Sequence, residues 1–396
     1  MHEKSCCRLI MFCVLMVPGF AVKGQEVISL GTVIDSSVRH SPALKSSDAV
    51  VSQQQHLLKS AVNLPNPEVL LQNPTGHFYT VGIQQMFDFP TVYSAQRKLQ
   101  KEQVRLAQTA VKYTLQDVRY KARILYIELQ YQYQVMKLWH RQDSFYSVIA
   151  DNAERANKAG NIDFVQSGFA RLQADQAKNN YNLAKASYDG TLHQISIMSG
   201  ISGDFIPDSL QADRITITVS DTSVKSNALS VYNRQQTAIS QQRVHLEQQK
   251  ALPGFTVAYL NQGERNTLFQ NRFYAGLRIP LWFWQYKNNI AAAKDQVEVS
   301  RYNEQVSLMQ LSSDMQTAWL KYRSYVEMLT YYESSVNKDI DNLTNALDRF
   351  YASGITSYAD YLRNLNEAAE MRKNYWETVK NYNQTTAYIL YLNGTL

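Results

Sequence analysis

The sequence predicts a mainly α-helical protein, written twice as a helix–hairpin–helix unit, with strands of a length and pattern that suit a membrane barrel. Three observations carry this. Residues 91 to 158 contain no glycine or proline and read as one helix on the order of 100 Å long, at about 1.5 Å per residue. Four segments near residues 66–73, 78–87, 254–262 and 272–283 read as strands, close to the about 9–11 residues that cross a bilayer when tilted. Shifting the chain by 194 residues lays residues 276–394 on residues 82–200 without a gap.

The composition supports long regular elements. Of 396 residues, 45% are hydrophobic and 19% charged, and only 15 Gly and 9 Pro interrupt them. Residues 1–24 read as a cleavable secretory signal, with Lys4 and Arg8 before an apolar run from Leu9 to Phe20. Cys6, Cys7 and Cys13 all fall inside it, so the expected mature chain has no disulfide and no cysteine metal site. Cys13 lacks the small preceding residue of a lipidated cysteine, and no lipid anchor is expected. Removing Lys4, Arg8, Lys23 and Glu3 lowers the net charge from +6 to +4. The remaining charges are interspersed, which argues against nucleic-acid binding.

The repeat is read from ordered pairs at the 194-residue shift: Gly82 with Gly276, Tyr131 with Tyr325, Arg155 with Arg349, Gly160 with Gly354, and Gly200 with Gly394. Upstream the shift is 188, matching Leu64-Pro65 with Leu252-Pro253, so the second copy carries six more residues, placed in its hairpin loop.

The elements follow in order. Residues 25–63 read as N-terminal helices, with a helix over 41–63, and 64–90 as a β-hairpin around the turn "PTGH". Residues 91–199 hold the long helix and a return helix from 163 to 198, and 200–225 an irregular equatorial segment. An upper helix over 226–251 precedes the second hairpin, 252–284, and residues 285–396 repeat the long helix and its return. Chain order suggests that 226–251 continues the first return helix upward and that the N-terminal helix stacks on the C-terminal one, closing the repeat on itself.

Two patterns bear on function. Phe273, Ala275, Leu277 and Ile279 alternate with Tyr274, Gly276 and Arg278, as a wall with lipid on one side and water on the other requires, although a soluble two-hairpin sheet has the same period. In the long helices, Val111, Leu115, Val118, Ala122, Leu125, Leu129, Gln132, Met136 and Trp139 follow a 4-3 spacing, as do Leu308, Leu311, Met315, Ala318, Tyr322, Tyr325, Leu329 and Tyr332. That is a coiled-coil seam. Catalytic signatures are missing: there is no nucleophile elbow, phosphate-binding glycine loop or H-E-x-x-H, and His40, His56, His77, His140, His193 and His245 are scattered singly. No enzymatic activity, cofactor or metal site is expected.

With "HSPAL" at 40–44, "VGIQQMFDFPTVYSAQRKL" at 81–99, "AGLRIPLWFW" at 275–284 and the duplicated plan, the chain resembles the TolC-like outer membrane efflux family over residues 27–394. "QQMFDFPTVYSAQRKL" is most similar to the branch serving heavy-metal cation exporters, the CusC and CzcC type. The resemblance implies a homotrimer in the outer membrane of a Gram-negative bacterium. Four strands per chain would build one twelve-stranded barrel, continued by a long periplasmic helical tunnel, and four strands alone cannot close a barrel.

It also implies a passive, gated exit duct working with a periplasmic adaptor, or membrane fusion protein, and an inner-membrane pump of the RND type. The cargo would be heavy-metal cations or small toxic compounds. A duct for type I protein secretion shares the fold, and a periplasmic coiled-coil scaffold without a pore is the reading from a different class. The family's gate maps onto Asp360, followed by Arg363 where some members carry a second acid. A ring of three carboxylates would form a cation-attracting constriction, or the two residues form an exposed helical ion pair. The tip turns at Arg155, Gly160, Arg349 and Gly354 map onto the adaptor-docking end. Pro90, Pro280, Trp282 and Trp284 mark the barrel-to-tunnel junction, with Pro90 placed to start a helix and the tryptophans near the membrane interface.

Overall fold

The computed structural model describes residues 26–72, 80–203, 205–215, 223–261, 268–353 and 357–396. The expected signal segment, the "PTGH" turn and Gly354 lie outside the described residues. The chain opens with β1 (Glu26–Ile28), α1 (Leu30–His40) and α2 (Pro42–Lys59). The Ser29 and Ser41 hydroxyls accept from the third N–H of α1 and α2, and Pro42 opens α2, so the chain bends at His40–Ser41. The hairpin β2 (Glu68–Gln72) and β3 (Thr80–Phe87) leads directly into α3 (Pro90–Lys158), and α4 (Phe164–Ser199) returns. The second repeat comprises α5 (Ser223–Ser226), α6 (Ala228–Lys250), β5 (Gly254–Asn261), β6 (Phe273–Arg278), α7 (Phe283–Tyr331), α8 (Asn337–Ala352) and α9 (Tyr358–Asn393). This is the duplicated helix–hairpin–helix plan.

At 69 residues, α3 is about 100 Å long. No single core serves a helix of that length, and its apolar contacts are strung along it. Tyr126 and Leu129 pack with Val33, Ile195 and Phe205; Tyr131 and Val135 with Leu329, Val379 and Tyr382. Leu311, Met315 and Ala318 of α7 pack with Ile389 and Leu392. The expected seams are thus the packed faces, and near its middle α3 buries Tyr126, Ile127, Gln130 and Tyr131 besides Leu129. At that depth neighbours cover it on more than one side, and each such apolar side chain contributes about 1.5–3 kcal/mol.

Three features differ from the sequence reading. First, the segment 200–225 is not wholly irregular: β4 (Phe205–Pro207) pairs in parallel with β1, and α5 follows. The buried Tyr126 hydroxyl ties them, donating to the Ile28 carbonyl at 2.6 Å, and it stands 2.7 Å from an Asp208 carboxylate oxygen. The segment then crosses to α9, where the Asn383 amide donates to the Gln211 carbonyl (2.7 Å) and its oxygen accepts from the Asp213 N–H (2.8 Å).

Second, the helix stacking is exchanged. α4 ends at Gly200 (φ +70°) so close to the first repeat that an added Cβ would lie 2.7 Å from the His40 ring. α9 ends at Gly394 beside Asn227, the N-cap of α6. Hence α2 sits over α4, and α6 over α9. Packing agrees, since α6 and α9 both lie against α3 and α7, while α2 and α4 lie along α3. Chain order misleads because the segment after Gly200 carries the polypeptide across α3 before α6 begins.

Third, a π-helical turn, Tyr332–Val336, separates α7 from α8, where α3 runs unbroken at the matching depth. Its Glu333 pairs with Arg214 of the crossing segment.

Candidate functional site

The sheet is antiparallel in the order β2-β3-β5-β6. Its register sorts the side chains into two faces. On one, Val69 pairs with Ile83, Ile83 with Tyr259, Tyr259 with Phe273, and Phe87 with Phe255 and then Leu277. Val69, Leu71, Phe273 and Leu277 of this face are all more than half exposed. Its two amides are satisfied within the chain: Gln85 donates to the carbonyls of Pro65 (2.6 Å) and Met86 (2.9 Å), and the Asn261 oxygen accepts from Arg272 at 2.9 Å. An apolar face left open across four strands is what a lipid-facing wall presents.

The opposite face carries the small and polar groups Thr80, Gly82, Gln84, Thr256, Ala258 and Arg278, together with Leu70, Met86, Leu260 and Tyr274. At Gly82 a Cβ would stand 2.5 Å from Leu260 Cδ2 and 2.7 Å from the Tyr259 carbonyl, so the join between the two hairpins requires glycine there. Among the described residues, β2 and β6 each have one edge without a neighbouring strand. Such edges invite pairing with another chain.

The strand-to-helix junction is built at Asp88, Phe89 and Pro90. Pro90 occupies the first turn of α3, as expected, and the Phe89 ring stacks on Phe255 with centroids 6.0 Å apart. Beneath it Val92, Ala95 and Leu246 form a buried cluster. In the second copy Pro280 follows β6 and α7 begins at Phe283, so Trp284 is already helical. Trp282 and Trp284 lie 5.2 Å apart, both exposed with Phe283. The sequence reading missed a tie between the copies: the Arg278 guanidinium meets the Asp88 carboxylate at 2.9 Å. These residues lie 190 positions apart, and only the strand register brings them together.

At the far end, the first turn is a Schellman closure. Asn161 N–H donates to the Ala156 carbonyl, Gly160 N–H to Asn157, and Gly160 takes φ +75°. Asp163 then caps α4 by accepting from Gln166 N–H at 2.7 Å. Arg155 is held on its own helix by Asn152 (2.8 Å), while Arg349 is exposed. Ser357 caps α9, and Asp360 sits in the first turn with its carboxylate accepting from the Ser357 hydroxyl (2.7 Å) and from Arg363 (2.8 Å). Within one chain Asp360 and Arg363 therefore form the exposed i,i+3 ion pair that the sequence left open. A cavity of about 740 Å³ separates this helix start from the first turn, lined by Ile149, Ile162, Phe169 and Leu362 among others.

The flanks of the helices carry a further pattern. Val299, Tyr302, Val306 and Met309 of α7, spaced by three and four, are all more than half exposed. So are Phe164, Val165, Phe169 and Leu172 at the start of α4. Among the described residues these are exposed apolar seams.

No protein-family model and no curated protein sequence matches the chain. Solved structures do. The CmeC outer membrane channel of Campylobacter jejuni aligns over 92% of this chain and 85% of its own, with TM-score 0.78 at 14% identity. CusC, whose structures describe folding and transmembrane channel formation, aligns over 93% of both chains with TM-score 0.75 at 12% identity. The open state of the MtrE outer membrane channel of Neisseria gonorrhoeae aligns over 92% of this chain and 88% of its own, with TM-score 0.73 at 12% identity. The chain has the fold of the TolC-like outer membrane channels.

Proposed function

We propose that the protein is a passive outer membrane exit duct of a tripartite efflux system, acting as a homotrimer with a periplasmic adaptor and an inner-membrane pump. The observation that carries this reading is the four-stranded sheet: one apolar face, one small and polar face, and two open edges, feeding directly into helices about 100 Å long. Three copies joined edge to edge give twelve strands and a closed barrel, which satisfies every backbone group in lipid. The exposed seams of α7 and α4 are then covered by neighbouring copies.

In this assembly the sheet's apolar face meets lipid and its polar face lines water, as in other membrane barrels. Trp282, Phe283 and Trp284 fall at the periplasmic membrane interface, where aromatic rings collect. The Gly160 turn and the start of α9 form the tip that meets the adaptor, and three copies of Asp360 converge there as a gate. No nucleotide-binding motif is present in the sequence, and the driving force comes from the pump. The cargo assignment, heavy-metal cations or small toxic compounds, rests on the resemblance of residues 84–99 to the cation-exporter branch. A deletion strain tested against copper, silver, zinc, cobalt and drugs checks it. Sensitivity to metals alone supports the cation branch, and sensitivity to drugs alone removes it.

A further inference from the structure

Arg278 ends β6 on the small and polar face of the sheet, two positions after Gly276 and directly opposite Gly254 of β5. Its side chain crosses β5 to reach the chain beyond β3. That path exists because residue 254 is glycine: a Cβ there would lie 2.7 Å from the Arg278 Nη2, 3.0 Å from its Nε and 2.9 Å from the Phe87 carbonyl. On the far side Nη2 donates to Asp88 Oδ1 at 2.9 Å, and Nη1 rests 3.7 Å from the Met86 sulfur. Asp88 is itself fixed, since its backbone N–H donates to the Tyr93 hydroxyl at 2.8 Å. Guanidinium and carboxylate remain about half exposed, so the pair faces open space rather than a packed core.

We propose that this Asp88–Arg278 clasp determines ion selectivity at the periplasmic mouth of the barrel, by cancelling a ring of positive charge on the luminal wall so that cationic cargo can pass. The inference rests on the duct reading. In the trimer the clasp recurs three times at one level. Paired, the six charges sum to zero; stripped of Asp88, three guanidiniums would face the lumen and repel cations, a divalent ion twice as strongly as a monovalent one. Gly254 is then a positioning residue, since it lets Arg278 lie against its carboxylate. The sequence position matching Arg278 in the first repeat is Gln84, so no second ring is built at this level.

The test is the reversal potential of the purified trimer in planar bilayers under a KCl gradient near 0.01 M, where screening extends about 30 Å and wall charge reaches the lumen. Asp88→Asn lowers the cation-to-anion permeability ratio by about twofold or more, Arg278→Gln raises it, and the double variant returns near wild type. Arg278→Lys, which keeps the charge, leaves the ratio unchanged. If Asp88→Asn does not assemble, Arg278→Gln alone decides. Conducting trimers whose ratio is unmoved by either single substitution overturn the inference and leave the duct reading standing. Wild type and Asp360→Ala that both fail to conduct remove both.

Discussion

The Asn227 side chain donates from its amide to the main-chain carbonyls of Tyr391 (2.9 Å) and Leu392 (3.0 Å), which seats α6 on the end of α9. Its oxygen meanwhile accepts from the Leu229 N–H at 2.8 Å, so one buried amide both caps α6 and satisfies the last carbonyls of α9. Asn227→Ala leaves those groups without it and removes the cap. We expect a loss of about 2–4 kcal/mol, read as a lower unfolding midpoint in detergent; Asn227→Asp keeps the cap acceptor but loses both donors, and it lowers the midpoint as well. An unchanged midpoint for the alanine variant would show that the stacking of α6 on α9 does not depend on this amide.

Gly82 makes the seam between the two hairpins. Gly82→Ala places a methyl group 2.7 Å from the Tyr259 carbonyl, a backbone atom that cannot swing aside. Overpacking of this kind costs about 1–3 kcal/mol. The expected result is a smaller yield of assembled trimer in the membrane fraction at equal total expression, and Gly168→Ala, where no atom lies within 4 Å, serves as the control.

The exposed seam of α7 predicts where copies meet. Val306→Asp and Met309→Asp put charges on residues that are each 65% exposed in the single chain. If that surface were solvated, neither change would matter. Buried against a neighbour, each carboxylate is unpaired, and light scattering in detergent should show monomers replacing trimers.

Alkaline stability follows from the aromatic ladder along α9. Burial, then the Asp314 carboxylate, pushes the Tyr388 hydroxyl up to about 12 from an ordinary 10.0. Burial, then the Tyr322 hydroxyl, does the same for Tyr382, also to about 12. The fold therefore favours the protonated phenols. Their contribution is fully present below about pH 10 and is lost as pH rises toward 12. Melting temperature should hold to pH 9 and fall above 10, and Tyr388→Phe should flatten part of that fall.

What the sequence disclosed and what it hid divide along physical lines. The long helices were legible because they lack Gly and Pro, and their seams because a 3.5-residue period repeats over many turns. The hairpin strands were legible from alternation, and the strand-to-helix passage from Pro90 at the first turn of α3. Hidden were relations set by register or by a path through space. Asp88 and Arg278 meet across two strand pairings. α6 stands on α9 because the described residues 205–213 run from α3 to α9, which chain order alone does not reveal. The π-helical turn at Tyr332–Val336 interrupts a heptad pattern that continues through Tyr332 without a mark. At Asp360 the spacing to Arg363 was legible, and the single chain forms the i,i+3 ion pair that this spacing allows.

The central claim is that three copies of this chain close a barrel and carry solutes across the outer membrane. Purified protein, extracted with detergent from the membrane fraction and added to planar bilayers, tests it most directly. Trimers are expected to produce discrete conductance steps, with larger steps for Asp360→Ala if the tip is the constriction. Protein found in the soluble fraction, or membrane-extracted trimers of both wild type and Asp360→Ala that produce no conductance, would contradict it.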